Sequence, residues 1–304
     1  KVSEVSLGTW QTFGGKVDEA AAEEIVRTSY DAGINFFDTA DVYRRGEAEV
    51  CLGKALRELP RDTYVLATKV RGKMGDWPTQ VGLSRKHIFD AIDASLKRLG
   101  VEYVDLYQAH HPDEDTPLDE TLRAFDDLVK AGKIRYAGVS NFPADQLIQA
   151  HGIAEEMGLD KIVSNQPVYN MFRREIEAEV LPASENLGIG QVVYSPLAQG
   201  VLTGKYNAGD VPPESRAAES KPGTSVHKYL AEERIEKARR IGQIADELGL
   251  SMTHLALVWC LRQANVSSVI CGASRAAQIA ENAAASGKTV PADALERIEG
   301  ILAE

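Results

Sequence analysis

Four ionisable residues in the first 110 positions have the types and spacing needed for proton transfer: Asp38, Tyr43, Lys69 and His110. Lys69 lies in the apolar segment YVLATKV (64–70), where an unpaired ammonium is costly, so it needs an anionic partner. Asp38, in the preceding apolar segment INFFDTA (34–40), is the natural one. Tyr43 lies five residues after Asp38, on the following loop, and could reach the same place.

These four side chains suit the protonation of an oxygen atom. A neighbouring cation favours the phenolate, so we expect Lys69 to lower the pKa of Tyr43. A tyrosine with an ordinary pKa of about 10 needs a shift of roughly two to three units, about 3 to 4 kcal/mol, to act near neutrality. His110 could orient a carbonyl oxygen toward the Tyr43 hydroxyl. Because the set contains no obvious nucleophile and no metal cage, we expect a hydride cofactor to supply the electrons.

Short apolar segments alternate regularly with longer amphipathic ones along the chain. The strand-like segments are 2–9, 34–40, 64–70, 103–109, 134–140, 161–166, 189–195 and 267–273. Helical patterns occupy 18–32, 47–59, 85–99, 117–131, 143–157, 175–187 and 253–264, with two more at 232–248 and 291–302. Eight strand-helix repeats are typical of a parallel sheet closed into a barrel. We therefore predict an α/β fold, a single (β/α)8 TIM barrel with two additional helices and with residues 1–304 as one domain.

The competing architecture is a doubly wound sheet divided into two domains. The sequence has no Pro/Gly/Ser-rich linker and no change of composition near its middle. It also lacks G-x-G-x-x-G and G-x-x-x-x-G-K, the usual nucleotide-binding signatures of open sheets. The barrel is the favoured interpretation.

Barrel enzymes carry their chemistry at the carboxyl ends of the strands, because the loops there converge on one mouth. Nearly every predicted strand delivers a polar group to that face. In strand order these residues are Gly8, Thr9 and Trp10; Asp38; Lys69; His110 and His111; Ser140 and Asn141; Asn165 and Gln166; Tyr194 and Ser195; and Gly272, Ala273, Ser274 and Arg275. A single polar residue at a strand end is usually a turn former, so the prediction of an active mouth depends on their conjunction.

At these positions the sequence resembles the aldo-keto reductase superfamily, over essentially the whole chain. The family's Asp, Tyr, Lys and His tetrad matches Asp38, Tyr43, Lys69 and His110, in INFFDTADVY, LATKV and DLYQAHHPD. The segments GVLTGKY and PPESR are especially similar to the branch that contains bacterial reductases and the β subunits of potassium channels.

The resemblance implies a nicotinamide cofactor. The segment GVSNF is similar to the family's GxSNF and implies that Ser140 and Asn141 contact the nicotinamide carboxamide, with Gln166 as a third contact. Tyr194 in VVYSPLAQG is similar to the aromatic residue that stacks on the nicotinamide ring. The other expected cofactor contacts are Gly8, Thr9, Trp10, Asp38, Ser195, Leu197, Gln199, Gly200, Lys205, Arg216, Gly272, Ser274, Arg275, Gln278, Glu281 and Asn282.

Cationic residues in these segments bear on which nicotinamide cofactor is used. Arg216 in PPESR, with Lys205 and Arg275, resembles the partners of a 2′-phosphate, and a guanidinium suits that dianion. The implied cofactor is NADPH/NADP+, preferred over NADH. The expected substrate is a small-molecule carbonyl compound or alcohol, in a pocket walled by Trp10, Tyr43, Trp77, His110 and His111.

Composition restricts the partners and the compartment. The 34 basic residues face 45 acidic ones, a net charge of -11, and no dense basic run is present, which argues against nucleic acid. Three cysteines without a CxxC favour a reducing compartment. No apolar signal segment opens the chain, and the longest uncharged stretch, 186–204, is too polar to span a bilayer. We expect a cytoplasmic protein that binds no membrane; the sequence carries no signal for its oligomeric state.

Three functions are compatible with these residues. The leading hypothesis is an NADPH-dependent aldo-keto reductase with Tyr43 as the general acid. The alternative, suggested by the channel branch, is a cofactor-sensing regulatory subunit with slow or vestigial reductase activity. The third is a Schiff-base lyase that uses Lys69, which the neighbouring carboxylate opposes because imine formation needs an uncharged amine.

Overall fold

In the part of the chain that the structure describes, eight short parallel strands close into one barrel. The computed structural model describes residues 1–207, 211–213, 215–219 and 225–304. The strands are β1 Val5–Gly8, β2 Phe36–Asp38, β3 Val65–Val70, β4 Val104–Ala109, β5 Ile134–Ser140, β6 Ser164–Gln166, β7 Gly190–Tyr194 and β8 Val266–Gly272. Each strand pairs with the next one along the chain, and β8 returns to β1 with Val269 opposite Val5. The predicted (β/α)8 barrel is confirmed.

Several strands are shorter than the apolar segments that predict them. β2 and β6 have three residues each. The residues that flank them nevertheless bond to the neighbouring strands: the Thr39 amide donates to the Ala67 carbonyl at 3.0 Å, and the Val163 amide donates to the Ala137 carbonyl at 2.9 Å. The apolar pattern therefore continues beyond the regular ladder because these residues remain packed between neighbours.

Two layers of side chains fill the inside of the barrel. The lower layer is apolar and consists of Phe36, Ala67, Leu106, Val192 and Ile270. Side chains of a strand alternate between its two faces, so the residues two positions further along the same strands also point inward. These residues are Asp38, Lys69, Gln108, Tyr194 and Gly272. The polar layer therefore lies directly above an apolar one, at the end of the barrel where TIM-barrel enzymes have their active sites.

Helices cover the outside of the barrel. They are α1 Glu19–Asp31, α2 Glu47–Leu56, α3 Arg85–Leu99, α4 Leu118–Lys130, α5 Ala144–Met157, α6 Val180–Leu187, α7 Arg216–Glu219, α8 Ser225–Tyr229, α9 Glu232–Glu247, α10 Met252–Leu261, α11 Ala276–Ala283 and α12 Ala292–Ala303. The predicted helix 175–187 is divided, because a 3-10 turn at Glu175–Glu177 precedes α6. Pro182 lies in the first turn of α6, where its missing N–H leaves no hydrogen bond unmade.

α10 is the most apolar of these helices and lies inside the fold, with Trp259 and Cys260 fully buried. Among the described residues, no single helix is both long and apolar enough to cross a membrane. α9 and α10 meet those two criteria only when taken together, and they are bent by 94° with respect to each other.

Candidate active site

The Lys69 ammonium lies at the centre of the polar layer, fully buried. Its Nζ donates to Asp38 Oδ2 at 2.6 Å, to the Thr39 carbonyl at 2.8 Å and to the Tyr43 hydroxyl at 3.3 Å. Asp38 ends β2, the strand next to β3, and Tyr43 begins the 3-10 turn Tyr43–Gly46 that follows. The pairing of the two strands therefore brings the three groups together.

The pKa of Lys69 is raised in this environment. Burial alone would lower it, but the Asp38 carboxylate and the Tyr43 oxygen together outweigh burial. Lys69 is therefore protonated at neutral pH. This disfavours the Schiff-base lyase, since an imine forms only from the uncharged amine.

The pKa of Tyr43 is raised, which makes the sequence prediction of a lowered value wrong. Burial is the main cause; the charge of Lys69 lowers the pKa, and that of Asp38 raises it. Asp38 neutralises most of the field of Lys69, so the remaining attraction does not offset the loss of hydration. Tyr43 thus keeps its proton across the neutral range, while Lys69 stays in place to stabilise a phenolate once the proton has left.

Two glutamine side chains hold the second oxygen of Asp38. Gln166 Nε2 donates to Oδ1 at 2.9 Å and Gln108 Nε2 donates to the same atom at 3.4 Å. Gln108 is absent from the sequence prediction, although its position two residues after Leu106 on β4 is a signal that could have found it. The carboxylate is therefore fixed on both oxygens.

His110 lies against the tyrosine as an uncharged ring. It meets Tyr43 edge to face, with ring centroids 5.5 Å apart, and stacks on His111 at 5.3 Å and 6°. Burial, followed by the charges of Lys69, His111 and Arg71, lowers the pKa of His110 to about 2. A neutral imidazole can donate a hydrogen bond to a substrate oxygen without competing as its acid.

A second network of hydrogen-bonded side chains lies beside His110 and connects β5 to β7. The Tyr194 hydroxyl donates to Asn141 Oδ1 at 3.1 Å, and Asn141 Nδ2 donates to the His110 carbonyl at 3.3 Å and to Ser140 Oγ at 2.9 Å. Ser140 Oγ in turn donates to the Gln166 carbonyl at 2.7 Å. Asn141 has a left-handed backbone, φ 59°, which asparagine adopts more readily than most residues.

The loop after β7 has an unusual backbone. Left-handed φ angles occur at Ser195 (56°), Ala198 (46°), Gln199 (60°) and Gly200 (97°). The Ala198 and Gly200 amides donate to the Ser195 and Leu197 carbonyls at 3.0 and 2.8 Å, so the loop closes as a tight turn. Gln199 Nε2 donates to Ser195 Oγ at 2.7 Å, and Gln199 Oε1 accepts from Arg216. Gly200 has a φ of 97°, a backbone conformation that residues with a Cβ rarely adopt, so this position favours glycine.

Four cations line the cleft near this loop: Lys16, Lys205, Arg216 and Arg275, called here the basic cluster. Partial burial and then the charges of Arg216, Lys16 and Arg275 lower the pKa of Lys205, so the four charges lie close together. The Arg216 guanidinium also lies over the Trp10 ring, 5.8 Å from its centroid. Gathered cations in a protein of net charge -11 indicate a site for a polyanion.

The ends of β1 and β8 leave the mouth open between them. Gly8 and Gly272 are opposite each other in the ladder. A Cβ on Gly8 would lie 2.4 Å from Ile270 Cγ2, so no side chain fits there. In the next loop, the Ser274 amide and Oγ donate to Gln278 Oε1 at 2.9 and 3.2 Å.

These groups line one cleft with a volume of about 1240 Å³. Most of the residues predicted for the cofactor and substrate lie on its walls. They are Gly8, Trp10, Asp38, Tyr43, His110, His111, Ser140, Asn141, Gln166, Tyr194, Ser195, Leu197, Gln199, Gly200, Lys205, Arg216, Gly272, Ser274, Arg275, Gln278, Glu281 and Asn282. Lys69 lies behind the wall, bonded to Asp38 and Tyr43.

Two predicted site residues do not reach the cleft. Trp77 is 74% exposed, because the Met74 amide donates to the Gln80 carbonyl (3.0 Å) and closes the loop on itself. The prediction that Trp77 forms a pocket wall is therefore wrong. The Thr9 hydroxyl is buried and donates to Thr39 Oγ1 at 2.8 Å, which turns it away from the cleft.

A buried acidic pair behind the cleft is also absent from the sequence prediction. Glu49 accepts hydrogen bonds from Thr68 Oγ1 and Arg98 Nε, both at 2.6 Å. Neither carboxylate oxygen of Asp41, which is fully buried, accepts a hydrogen bond from the described part of the chain. Burial and the nearby Glu49 raise the pKa of Asp41 to about 8. In the sequence, the only indication that Asp41 belongs to this region is its position between Asp38 and Tyr43.

Comparison with known proteins agrees with this geometry. A family model described as "Aldo/keto reductase family" matches residues 4–303. The chain belongs to the aldo/keto reductase family. Relatives of this aldo/keto reductase include a "Probable voltage-gated potassium channel subunit beta" of Arabidopsis thaliana, 45% identical over 285 residues, which are 93% of this chain and 87% of the relative. A "Putative voltage-gated potassium channel subunit beta" of Schizosaccharomyces pombe is 41% identical over 314 residues, 99% of this chain and 90% of the relative.

Aldo/keto reductases typically bind a nicotinamide cofactor, and the described residues fit one. The basic cluster gathers four cations in the cleft near the loop 195–200, and such a region attracts a polyanion. The open glycine pair Gly8 and Gly272 gives backbone access to the cleft. This aldo/keto reductase thus has a donor set suited to pyrophosphate and phosphate groups.

Proposed function

We propose that this protein is an NADPH-dependent aldo-keto reductase, which reversibly converts a small aldehyde or ketone to its alcohol with Tyr43 as the general acid. The observation that carries the proposal is the hydrogen-bonded chain from Asp38 through Lys69 to Tyr43, with a neutral His110 beside the tyrosine. The residues that line the cleft would hold NADPH, which would supply the hydride for the carbonyl carbon.

The proton comes from Tyr43. Its raised pKa keeps the hydroxyl protonated at neutral pH, so it donates a hydrogen bond to the substrate's carbonyl oxygen and transfers the proton as that oxygen becomes negative. Lys69, 3.3 Å away, stabilises the phenolate that remains until solvent reprotonates it. Asp38 holds Lys69 in place and charged. In alcohol oxidation the phenolate accepts the proton.

Two neighbours position the substrate. The neutral His110 ring donates a hydrogen bond to the carbonyl oxygen, and its pKa of about 2 prevents it from acting as the acid itself. Trp10 and His111 line the same cleft and form the wall against which the substrate packs.

The basic cluster supports NADPH over NADH. A 2′-phosphate carries about two negative charges, and Arg216 and Arg275 suit such a dianion. Ser140, Asn141 and Gln166 line the cleft where the carboxamide of the nicotinamide would bind, with Tyr194 against the ring. A cytoplasmic location and small-molecule partners, without nucleic acid or membrane, belong to the same proposal; the net charge of -11 and the free thiols at the three buried cysteines support them.

The test is Tyr43→Phe. We expect steady-state reduction of an aromatic aldehyde to fall by about 100-fold or more, while the Kd for NADPH, measured by fluorescence titration, stays within about threefold of the wild type. Tyr136→Phe is the matched control, since Tyr136 is 57% exposed on β5. Parallel loss of turnover and of NADPH binding would contradict the assignment.

A cofactor-sensing regulatory subunit is the second candidate, favoured by the names of the relatives. Such a subunit would bind NADPH tightly and turn over slowly. A kcat for a generic aromatic aldehyde in the ordinary enzyme range, about 1–1000 per second, decides for the reductase. A kcat far below that range, together with tight NADPH binding, decides for the regulatory subunit.

A further inference from the structure

The charge of the cleft is opposite to that of the whole protein. Among the described residues that line it, eight are lysine or arginine and two are acidic, Asp38 and Glu281. Asp38 is already neutralised by Lys69. The whole chain, by contrast, carries 45 acidic and 34 basic residues. The cleft is therefore a local region of positive potential, which attracts anions.

The cationic residues of the cleft form two groups. One is the basic cluster beside the loop after β7. The other, called here the second basic group, consists of Arg44, Arg173, Lys228 and Arg234. A 2′-phosphorylated dinucleotide carries about four negative charges, two of them on the 2′-phosphate, which the basic cluster balances. The charge of the second basic group then remains for another ligand.

Arg173 lies at the catalytic end of the cleft. Its backbone amide donates to the Asn170 carbonyl at 2.9 Å, and Asn170 Nδ2 donates to the Ser195 carbonyl at 2.9 Å, next to Tyr194. Burial raises the pKa of Tyr194, and the charges of Arg173 and Lys69 oppose that shift. The hydroxyl of Tyr194 is bonded to Asn141, beside His110. Arg173 also pairs with Glu175 at 2.7 Å, but both side chains are about half exposed, and such a pair contributes little and is readily exchanged.

Arg234 and Lys228 lie on the same side of the cleft as Arg173. The Arg234 guanidinium lies 5.5 Å from the centroid of the Tyr229 ring, and Tyr229 is near enough to Arg173 to raise its pKa together with Glu175. Arg173, Lys228 and Arg234 are therefore continuous through Tyr229, and Arg44 lies apart from them.

Arg44 places a guanidinium at the other side of the catalytic tyrosine. It directly follows Tyr43 and has a left-handed backbone, φ 51° and ψ 33°, which is strained for arginine. Its side chain lies against Gly15, where a Cβ would be 2.5 Å from Arg44 Nη2. Gly15 belongs to the loop between β1 and α1 that also carries Trp10. Arg44 thus reaches from the turn that begins at Tyr43 to the loop between β1 and α1, and it lines the cleft.

We infer that the carbonyl substrate carries an anionic oxygen group, a carboxylate or a phosphate, which Arg173 and Arg44 bind while its carbonyl oxygen faces Tyr43. This inference rests on the proposed reductase function. A guanidinium suits both anions because its N–H groups match two oxygens at once. The substrate class is therefore small anionic aldehydes and ketones.

The test compares matched aldehydes at saturating NADPH. One pair is 4-carboxybenzaldehyde and its neutral methyl ester; the other is glycolaldehyde phosphate and glycolaldehyde. We expect kcat/KM for the charged member of at least one pair to exceed that of its neutral partner by about tenfold or more, because charge-assisted hydrogen bonds are the strong ones. A preference in the first pair identifies a carboxylate, and one in the second identifies a phosphate. The preference should shrink as the salt concentration rises.

Variants locate the anion site. Arg173→Gln and Arg44→Gln should each reduce the charged-to-neutral ratio of kcat/KM by about tenfold. Arg57→Gln, at the exposed C-terminal end of α2, is the matched control and should retain the ratio. The Kd for NADPH of each variant reports whether it has folded.

The outcomes separate this inference from the proposed function. If the wild type reduces neutral aldehydes as well as charged ones, the inference is overturned and the reductase stands. If it reduces no aldehyde, the reductase proposal fails and the inference fails with it. If the preference is present but survives both substitutions, the assignment of Arg173 and Arg44 is overturned.

Discussion

Replacing Asp41 by asparagine should stabilise the protein at neutral pH, although Asp41 lies only two residues before Tyr43. Asp41 is fully buried next to Glu49. The backbone amide of Asp41 donates to the Lys69 carbonyl at 3.3 Å. The Tyr107 hydroxyl is likewise buried without a partner among the described residues. An ionised carboxylate there loses its hydration, and the Val42 amide and the charges of Arg98 and Lys69 do not offset that loss.

The size of the effect follows from the pKa of Asp41, which burial and Glu49 raise from 3.8 to about 8. Below pH 3.8 the carboxyl is protonated in both the folded and the unfolded chain, so it has no effect on pH-dependent stability. Between pH 3.8 and 8 the unfolded chain releases the proton while the folded chain retains it, so stability falls as pH rises. At pH 7 the loss is about 4 kcal/mol at most, because each pH unit contributes about 1.4 kcal/mol. Asparagine does not titrate and avoids this loss.

The assay is chemical unfolding of the wild type and Asp41→Asn at several values between pH 4 and 9. The difference in free energy of unfolding should change in favour of Asp41→Asn by a few kcal/mol from pH 4 to pH 8 and then become constant. Asp76→Asn, whose side chain is 97% exposed, is the control and should show no such trend. A difference that is the same at every pH would refute the reasoning, because the folded carboxyl would then titrate normally.

Other predictions concern the histidine, an ion pair and a thiol. His110, with a pKa of about 2, should add no inflection to the pH profile of kcat/KM between pH 5 and 9; an inflection lost in His110→Gln would contradict this. Arg98→Met should destabilise the protein by about 3–5 kcal/mol in unfolding experiments, because buried Glu49 loses its partner, whereas the exposed control Arg57→Met should change stability by less than about 0.5 kcal/mol. Burial raises the pKa of Cys271 to about 12, so a thiol reagent at pH 8 should label it only upon unfolding; labelling of the native protein would show that the site opens.

The barrel could be predicted because its signals are local. Alternating apolar and amphipathic segments report burial and periodicity without any knowledge of distant contacts. The proximity of the four candidate residues could be predicted for a related reason: in a parallel barrel all strand ends meet at one mouth, so residues at the ends of successive strands must be neighbours. Asp38, Tyr43, Lys69 and His110 follow from that rule. That residues 1–304 act as one domain stays a prediction.

Features that depend on the sum of many contacts could not be predicted. The pKa of Tyr43 rises because burial outweighs a cation that Asp38 has already neutralised, and neither quantity is visible in the local sequence. Trp77 is an ordinary loop tryptophan in the sequence, and only the closure of its loop directs it to solvent. The position of Gln108 on β4 predicts that its side chain points into the barrel. A glutamine by itself does not predict a functional role, however, because most buried glutamines only form structural hydrogen bonds.

For this protein, the order of residues alone determined the fold, the family resemblance and the grouping of Asp38, Tyr43, Lys69 and His110, because these depend on short-range patterns and on which strand ends meet. The tertiary structure alone decided that Lys69 is charged and His110 is not, that Asp41 is buried at a cost, and that a second basic group lines the same cleft as Tyr43. Those properties come from long-range electrostatics and desolvation, which exist only once residues such as Arg44 and Arg173, about 130 positions apart in the chain, line one cleft.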